Sequence, residues 1–196
     1  MSKNTIVISA FPACGKSYTF NNFNGKPFTM LDSDSSKYSW IYEDGVKTDK
    51  RNPNFIEDYM THIKENIGKV DVIFVSSHKE VRKALRDNNI KYFIIYPSLE
   101  MKDEMLRRMK ERGNDEKFIQ FQSEHFKEFV GDIINENREL VENTPIIEHI
   151  WGGPRKDTPC FGIELNDSCP YISNELIDHL LDNSMGNLSC FWWNHK

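Results

Sequence analysis

The sequence predicts an α/β fold, with three layers built around a parallel sheet of five strands. Apolar runs of strand length alternate with segments of helical periodicity along most of the chain. Residues 70–75, V-D-V-I-F-V, are almost continuously apolar, which is typical of a strand buried on both faces of a parallel sheet. The first apolar run, residues 6–10, leads through a Gly-Lys-Ser turn into a helix. This alternation favours parallel strands joined by right-handed helical crossovers.

The length and charge of the chain limit its organisation and its partners. Its 196 residues suit a single domain, which we place at residues 1–183 and follow with a tail at 184–196. The formal net charge of −5 weighs against nucleic acid as the main partner, although a local basic patch would still permit it. No apolar run is long enough for a membrane span or a signal peptide, so we expect a cytoplasmic protein without membrane association. Monomer and homodimer both stay open.

The turn after the first strand has the form A-x-x-x-x-G-K-S, over residues 10–17. A turn between a buried strand and a helix N-terminus gathers backbone N–H groups into a concavity that binds polyphosphate. Gly15 permits close backbone approach, Lys16 can reach the β- and γ-phosphates, and the Ser17 hydroxyl can bind Mg²⁺. The sequence therefore predicts a nucleotide-binding loop, to which we assign the residues Ala13, Cys14, Gly15, Lys16, Ser17 and Tyr18.

Two residues of this loop invite alternative interpretations. Alanine stands at position 10 where the motif has glycine, so either the backbone is normal there or the loop carries strain of roughly 1 kcal/mol or more. Cys14 lies where a helix N-terminus can lower the pKa of a thiol, but a small apolar filler is the favoured interpretation. The four cysteines lack C-x-x-C spacing, which argues against a zinc site or a disulfide framework.

A second strand, residues 28–31, ends in Asp32-Ser33-Asp34. Open α/β sheets bind ligands beyond the carboxyl ends of their strands, so both aspartates fall at the expected site. We assign Asp32 to the metal and Asp34 to the acceptor hydroxyl, as a base or an orienting group. The alternative is an Asx-rich turn that caps a helix.

Residues 37–53 are polar and are expected to be irregular. Within an acceptor-binding segment at about residues 35–60, Trp40 could stack on an acceptor and Arg51 could bind its phosphate, although for each residue taken singly a packing or surface role is the favoured interpretation. His78 follows the third strand and is assigned to the acceptor side, with capping of the next helix as the favoured alternative.

The remaining elements follow from periodicity. Helices are expected at residues 54–67, 79–86, 99–112 and 115–139, and a fourth strand at 91–96. The fifth strand is either 145–151 or 160–165; we favour the second, because a turn and the start of a helix follow it.

Arginines gather near the end of the helix at residues 99–112. Arg108 and Arg112 are four residues apart and therefore share a helical face. Guanidinium groups suit phosphate oxygens, so the two arginines could neutralise a migrating phosphoryl group from a lid at about residues 105–120. The alternative is a solvated helix end whose cations are favoured by the helix dipole.

These features resemble the P-loop kinase superfamily, including nucleoside monophosphate kinases and the shikimate and gluconate kinase types. The triplet Asp32-Ser33-Asp34 is similar to the D-S-D of shikimate kinases, and R-M-K-E-R-G from Arg108 is similar to the R-x-x-x-R lid of adenylate-type and gluconate-type enzymes. The run S-S-H-K-E-V-R-K-A-L from Ser76 is similar to their third-strand exit. The resemblance implies the strand order 2-3-1-4-5 and a helical lid.

What the resemblance implies about function is an ATP- and Mg²⁺-dependent kinase, of a compact kind common in bacteriophage genomes. Lys16, Asp34, Arg108 and Arg112 would be catalytic, Ser17 and Asp32 would bind the metal, and the acceptor would be a nucleoside monophosphate or a related hydroxyl-bearing metabolite. Two departures matter: no glycine triplet follows the third strand, and adenylate kinases lack the aspartate triplet. A kinase acting on a polynucleotide or a modified DNA base, and a regulatory ATPase without an acceptor, are the alternatives.

Overall fold

The computed structural model describes residues 4–25, 27–143 and 160–183. Seven strands and seven α-helices are found within these ranges. The strands are β1 (Ile6–Ala10), β2 (Met30–Asp32), β3 (Trp40–Glu43), β4 (Val46–Arg51), β5 (Val72–Ser76), β6 (Tyr92–Pro97) and β7 (Cys160–Leu165). The helices are α1 (Lys16–Asn22), α2 (Ser36–Ser39), α3 (Phe55–Asn66), α4 (Lys79–Asp87), α5 (Lys102–Glu111), α6 (Glu116–Asn143) and α7 (Asn174–Asn183).

Five of the strands form one parallel sheet in the order β2-β5-β1-β6-β7. Every residue of β1 and β6 is buried, as expected for apolar strands covered on both faces. The register pairs Ala10 at the end of β1 with Ser76 at the end of β5. The α/β class and the parallel five-stranded sheet predicted from the sequence are confirmed.

The hairpin formed by β3 and β4 was not predicted, since residues 37–53 were expected to be irregular. Its turn is Asp44-Gly45, and both residues have positive φ angles, 49° and 79°. Positive φ at both central residues defines the type I′ turn that joins antiparallel strands most readily. The Asp-Gly pair was therefore a usable signal, which the polar composition of the flanking strands concealed.

The strand at residues 160–165 is confirmed, since β7 pairs with β6 at six successive positions from Tyr92 to Pro97. The competing segment, residues 145–151, lies outside the described residues, as does the tail at 184–196. The helix expected at 99–112 begins as a 3₁₀ turn, Leu99–Met101, before α5.

Helix α6 has 28 residues and is held against α4 by ion pairs. Glu136 accepts hydrogen bonds from the buried Arg82, at 3.0 and 2.6 Å, and a further one from Arg86. Arg82 also donates to the carbonyl oxygen of Ser77, just beyond β5. These contacts fix the position of α6 relative to the carboxyl end of the central strands. In the part of the chain that the structure describes, no helix has both the length and the apolar character required to cross a bilayer.

Candidate functional site

A cleft of about 1220 Å³ lies at the carboxyl edge of the sheet. Residues that follow each of the five parallel strands line it, together with one side of α5 and the beginning of α6. Carboxyl ends of parallel strands meet at one edge, which is where open α/β sheets bind their ligands. Of the residues assigned from the sequence, the cleft brings together Ala13, Gly15, Lys16, Ser17, Tyr18, Asp32, Asp34, His78, Arg108 and Arg112.

The loop between β1 and α1 reaches its shape through two left-handed residues. Ala10 is the buried last residue of β1 and lacks a positive φ, so no strain arises there. The left-handed positions are instead Ala13, with φ 65°, and Gly15, with φ 104°. A Cβ atom on Gly15 would lie 3.4 Å from the backbone nitrogen of Ile172. Glycine at this position therefore permits both the positive φ angle and the close approach of the loop that carries Ile172. Alanine at position 13 costs about 1–2 kcal/mol.

Lys16 lies across the loop and faces the cleft. Its Nζ donates a hydrogen bond to the carbonyl oxygen of Ala10 at 2.8 Å. Burial lowers the pKa of the Lys16 ammonium, while the nearby carboxylates of Asp32 and Asp34 act to raise it. The charged form is therefore costly in the unliganded protein, and an anion bound beside it would relieve that cost.

Ser17 and Asp32 meet across the cleft, because α1 and β2 both approach its floor. The Ser17 hydroxyl donates to Asp32 Oδ2 at 2.6 Å. One hydroxyl and one carboxylate fit the way proteins bind Mg²⁺, with few protein ligands and with phosphate oxygens and water completing the shell. Consistent with this, no cluster of three or more His, Cys, Asp or Glu side chains suited to a metal is found among the described residues.

Asp34 is placed by its own turn. Its Oδ1 accepts a hydrogen bond from the backbone N–H of Ser36 at 2.9 Å, and its Oδ2 accepts one from the Ser36 hydroxyl at 2.8 Å. This is the Asx turn raised as the alternative from the sequence, and the same carboxylate lines the cleft. The turn therefore holds Asp34 in place without removing it from the site.

Tyr59 on α3 connects the ends of β2 and β5 behind this turn. Its buried hydroxyl donates to the carbonyl oxygen of Ser33 at 2.6 Å and accepts from the N–H of Ser76 at 3.3 Å. Burial raises the pKa of Tyr59 to about 12, so the hydroxyl keeps its proton. Tyr59 is thus a positioning residue for the segment that carries both aspartates.

His78 lines the cleft at the exit of β5. Capping of α4 was the favoured explanation for this residue, but its side chain makes no capping hydrogen bond. Instead its Nδ1 lies 3.0 Å from the Ser76 hydroxyl. Removal from water lowers the pKa of His78, and the charges of Lys16, Arg51 and Arg82 lower it further against the opposing effect of Glu80. His78 is therefore neutral at physiological pH.

Three other assigned residues are not among those that line the cleft. Trp40 and Arg51 face each other across the β3–β4 hairpin, with the guanidinium carbon 4.2 Å from the ring centroid. Lys47 lies over the same ring at 4.4 Å.

Cys14 is fully buried, and burial raises the pKa of its thiol to about 12 despite the charges of Lys16 and Arg108. This contradicts a reactive thiol and favours the apolar filler.

Arginines of α5 line the opposite side of the cleft. Arg108 donates to Glu104 at 2.7 Å and to the carbonyl oxygen of Pro170 at 2.6 Å, while Arg112 donates to Asn114. Arg107, which was not assigned, lines the cleft beside them and also pairs with Glu104. Both arginine partners hold the pKa of Glu104 down, to about 2.

The loop between β7 and α7 is fastened to the loop after β1. Ile172 N–H donates to the carbonyl oxygen of Cys14 at 2.9 Å, and the buried Thr19 hydroxyl donates to the carbonyl oxygen of Ile172 at 2.6 Å. Tyr171 lies between these contacts and the cleft, with 48% of its surface exposed. Together with the hydrogen bond from Arg108 to Pro170, these bonds couple the loop after β1, helix α5 and the loop after β7, which are far apart in sequence.

Two buried polar side chains of the cleft were missed by sequence reasoning. Ser33 Oγ and Gln122 Oε1 have no hydrogen-bond partner within the described residues, and the two side chains are 3% and 7% exposed. Ser33 was given no role in the sequence analysis, although both of its neighbours, Asp32 and Asp34, were assigned to the site. Gln122 had a usable signal, because it interrupts an apolar stripe between Phe118 and Phe126 at intervals of four.

The chain was compared with protein-family models and with curated proteins. No family model matches it, and neither does any curated protein. The resemblance to P-loop kinases therefore stays a prediction from the sequence.

Proposed function

We propose that this protein is an ATP- and Mg²⁺-dependent kinase that transfers the γ-phosphoryl group to a small acceptor, a nucleoside monophosphate or a related hydroxyl-bearing metabolite. The observation that carries the proposal is the 2.6 Å contact between Ser17 and Asp32, in the same cleft as Lys16. A hydroxyl, a carboxylate and an ammonium group at the carboxyl edge of a parallel sheet are the groups that Mg²⁺-nucleotide binding requires.

The order of the strands supports the same proposal. When the β3–β4 hairpin is left out of the count, the order β2-β5-β1-β6-β7 reads 2-3-1-4-5. This is the order implied by the resemblance to P-loop kinases. The left-handed Gly15 at the start of α1 also fits a loop that wraps phosphate.

The side chains of the cleft divide the work of phosphoryl transfer. Lys16 binds the transferred group, and the arginines of α5 neutralise charge that develops on it. Mg²⁺, bound by Ser17 and Asp32, would supply further charge neutralisation on the phosphate oxygens. Asp34 accepts the proton of the acceptor hydroxyl, because its carboxylate is already oriented by the Ser36 turn. Helix α5, which lines one side of the cleft, would help to exclude water from the nucleotide.

Lys16→Ala tests this proposal. We expect turnover, measured as ADP release with MgATP, to fall by about 10² to 10³-fold, since a donor to the transferred group is lost. The melting temperature without nucleotide should change little, because the relief of burying a charge is offset by the loss of the hydrogen bond to the Ala10 carbonyl oxygen. Lys83→Ala is the matched control, since Lys83 is exposed and pairs with Asp87 on α4.

MgATP should also raise the melting temperature of the wild type, and this rise should shrink in Lys16→Ala. An unaltered turnover in Lys16→Ala, or the absence of any stabilisation by MgATP, would remove the proposed mechanism. ADP release that is slow and indifferent to every added acceptor would favour the regulatory ATPase instead.

A further inference from the structure

The cleft is unevenly charged on the two sides of the loop after β1. Beside the exits of β6 and β7, helix α5 and its C-cap contribute Arg107, Arg108 and Arg112 to the lining, together with Glu104 and Glu111. The exits of β2 and β5 lie on the other side of β1 in the sheet. Within the described residues, this second side contributes no lysine or arginine to the lining. Apart from Lys16 on the central loop after β1, the lysine and arginine side chains that line the cleft in the described residues thus lie on one side of it.

On the β2 and β5 side, hydroxyl groups rather than lysine or arginine side chains line the cleft. The lining residues there are Asp32, Ser33, Asp34, Ser35, Ser36, Ser76, Ser77 and His78. Ser33 Oγ is buried without a partner in the described chain, which costs about 1–3 kcal/mol unless a ligand supplies one. The part of α6 that reaches the cleft adds Phe118 and Gln122, neither of which is charged.

We propose that the acceptor is an uncharged, hydroxyl-rich molecule such as a sugar, polyol or nucleoside, bound on the β2 and β5 side through Ser33 and Asp34. This inference rests on the proposed kinase function, and it favours the hydroxyl-bearing metabolite over the nucleoside monophosphate as the acceptor. Arg51 acts on His78 through its charge but lies against the Trp40 ring. Within the described residues the lining of this side has no lysine or arginine, so a phosphate monoester there would place its charge beside Asp32 and Asp34, which like-charge repulsion disfavours. A polynucleotide acceptor is disfavoured for the same reason.

The chemistry requires only one reacting hydroxyl. The acceptor oxygen forms a bond to the γ-phosphorus of ATP while the bond between that phosphorus and the β,γ-bridging oxygen breaks, so that ADP leaves. The hydroxyl proton passes to Asp34, whose two oxygens are held by Ser36 at 2.9 and 2.8 Å. His78 adds no positive charge at neutral pH, since its pKa is lowered. Arg51 is directed onto the Trp40 ring rather than into the cleft.

Matched acceptor pairs test the inference. ADP release with MgATP would be measured for glucose, glycerol and thymidine, for the phosphate monoester of each, and for a single-stranded oligonucleotide, with products identified by mass. We expect at least one uncharged member to accelerate ADP release tenfold or more over the acceptor-free rate, and its phosphate ester to leave that rate unchanged. Acceleration by no uncharged member, or stronger acceleration by an ester or the oligonucleotide, overturns the inference.

Ser33→Ala gives a second readout that a merely structural role would not move. The substitution removes a buried hydroxyl that has no partner in the described chain, so the folded state should be kept. We expect the KM for the acceptor to rise roughly threefold to tenfold, as for one lost hydrogen bond, with the KM for ATP unchanged. Ser123→Ala, on α6 outside the cleft lining, is the control and should change neither value. An unchanged acceptor KM in Ser33→Ala contradicts the assignment of Ser33.

The experiment separates this inference from the proposed function. If MgATP does not stabilise the wild type, the kinase proposal itself fails. If MgATP does stabilise the wild type and phosphate esters are the better acceptors, only the inference fails. Loss of the activity toward phosphate esters in Arg51→Gln would then indicate that the hairpin binds the phosphate group of these acceptors.

Discussion

Removal of the Tyr59 hydroxyl should loosen the acceptor side of the cleft and destabilise the fold. Tyr59→Phe keeps the ring, which packs against Phe55 with centroids 5.8 Å apart. It deletes the donor to the Ser33 carbonyl oxygen at 2.6 Å and the acceptor for the Ser76 N–H at 3.3 Å. The substitution therefore isolates one polar contact between the ends of β2 and β5.

The magnitude follows from burial. Tyr59 is completely buried and Ser33 is 3% exposed, so water cannot replace the lost hydrogen bond freely. Leaving a buried backbone group unsatisfied costs about 1–3 kcal/mol. For a chain of this size each kcal/mol lowers the melting temperature by about 2–4 °C, so we expect a fall of roughly 2–12 °C. If the kinase proposal holds, the KM for the acceptor and the KM for ATP should both rise, because Ser33 stands directly between Asp34 and Asp32.

Urea and thermal unfolding measure the first effect, and initial rates at varied acceptor and ATP concentrations measure the second. Tyr42→Phe is the control, since Tyr42 is 45% exposed on the hairpin and should change stability by less than about 0.5 kcal/mol. Equal stabilities of Tyr59→Phe and the wild type would refute the reasoning that this hydroxyl holds the two strand ends together.

Two further predictions concern the scaffold and the loop. Glu136→Ala should lower the free energy of unfolding, measured in urea, by about 3–5 kcal/mol, because it leaves the buried Arg82 without its carboxylate. Asp132→Ala breaks an exposed ion pair and should lower it by less than about 1 kcal/mol. Similar losses in the two variants would contradict this prediction. In the native protein at pH 8, iodoacetamide should modify Cys14 at least tenfold more slowly than the partly exposed Cys169, since burial raises the pKa of the Cys14 thiol to about 12. In urea the two cysteines should react equally fast. Peptide mass spectrometry measures the labelling, and rapid modification of Cys14 in the native protein would contradict the prediction.

The parallel sheet could be predicted because its strands are apolar on both faces. Such runs stand out against helical periodicity, and the turn after β1 carries its own residue signature. The hairpin could not be predicted in this way, since Val46–Arg51 is almost entirely exposed and polar. The only local signal for the hairpin was the Asp44-Gly45 pair, which is typical of a tight turn. In the prediction, the polar composition of the flanking residues outweighed this signal.

The candidate site was predictable where chemistry depends on neighbouring residues in the sequence. Gly15, Lys16 and Ser17 form one turn, and Asp32 and Asp34 another. Tyr59 and Gln122 were not predicted, because their roles depend on how α3 and α6 meet the strand ends. Trp40 and Arg51, which the sequence assigned to the acceptor, lie against each other on the hairpin and are not among the residues that line the cleft.

Asp34 shows why structural and functional interpretations of a site residue need not compete. An Asx turn uses one or both carboxylate oxygens to fix the following backbone, and Asp34 does this through Ser36. Each oxygen retains a further lone pair, since an ionised carboxylate accepts about four hydrogen bonds. The turn therefore removes the rotational freedom of the side chain while leaving it able to accept a proton. A base that is held in this way needs no reorganisation when the acceptor binds, which is what preorganised catalysis requires. Under the proposed kinase function, the polar turn at the end of β2 would thus itself position the base.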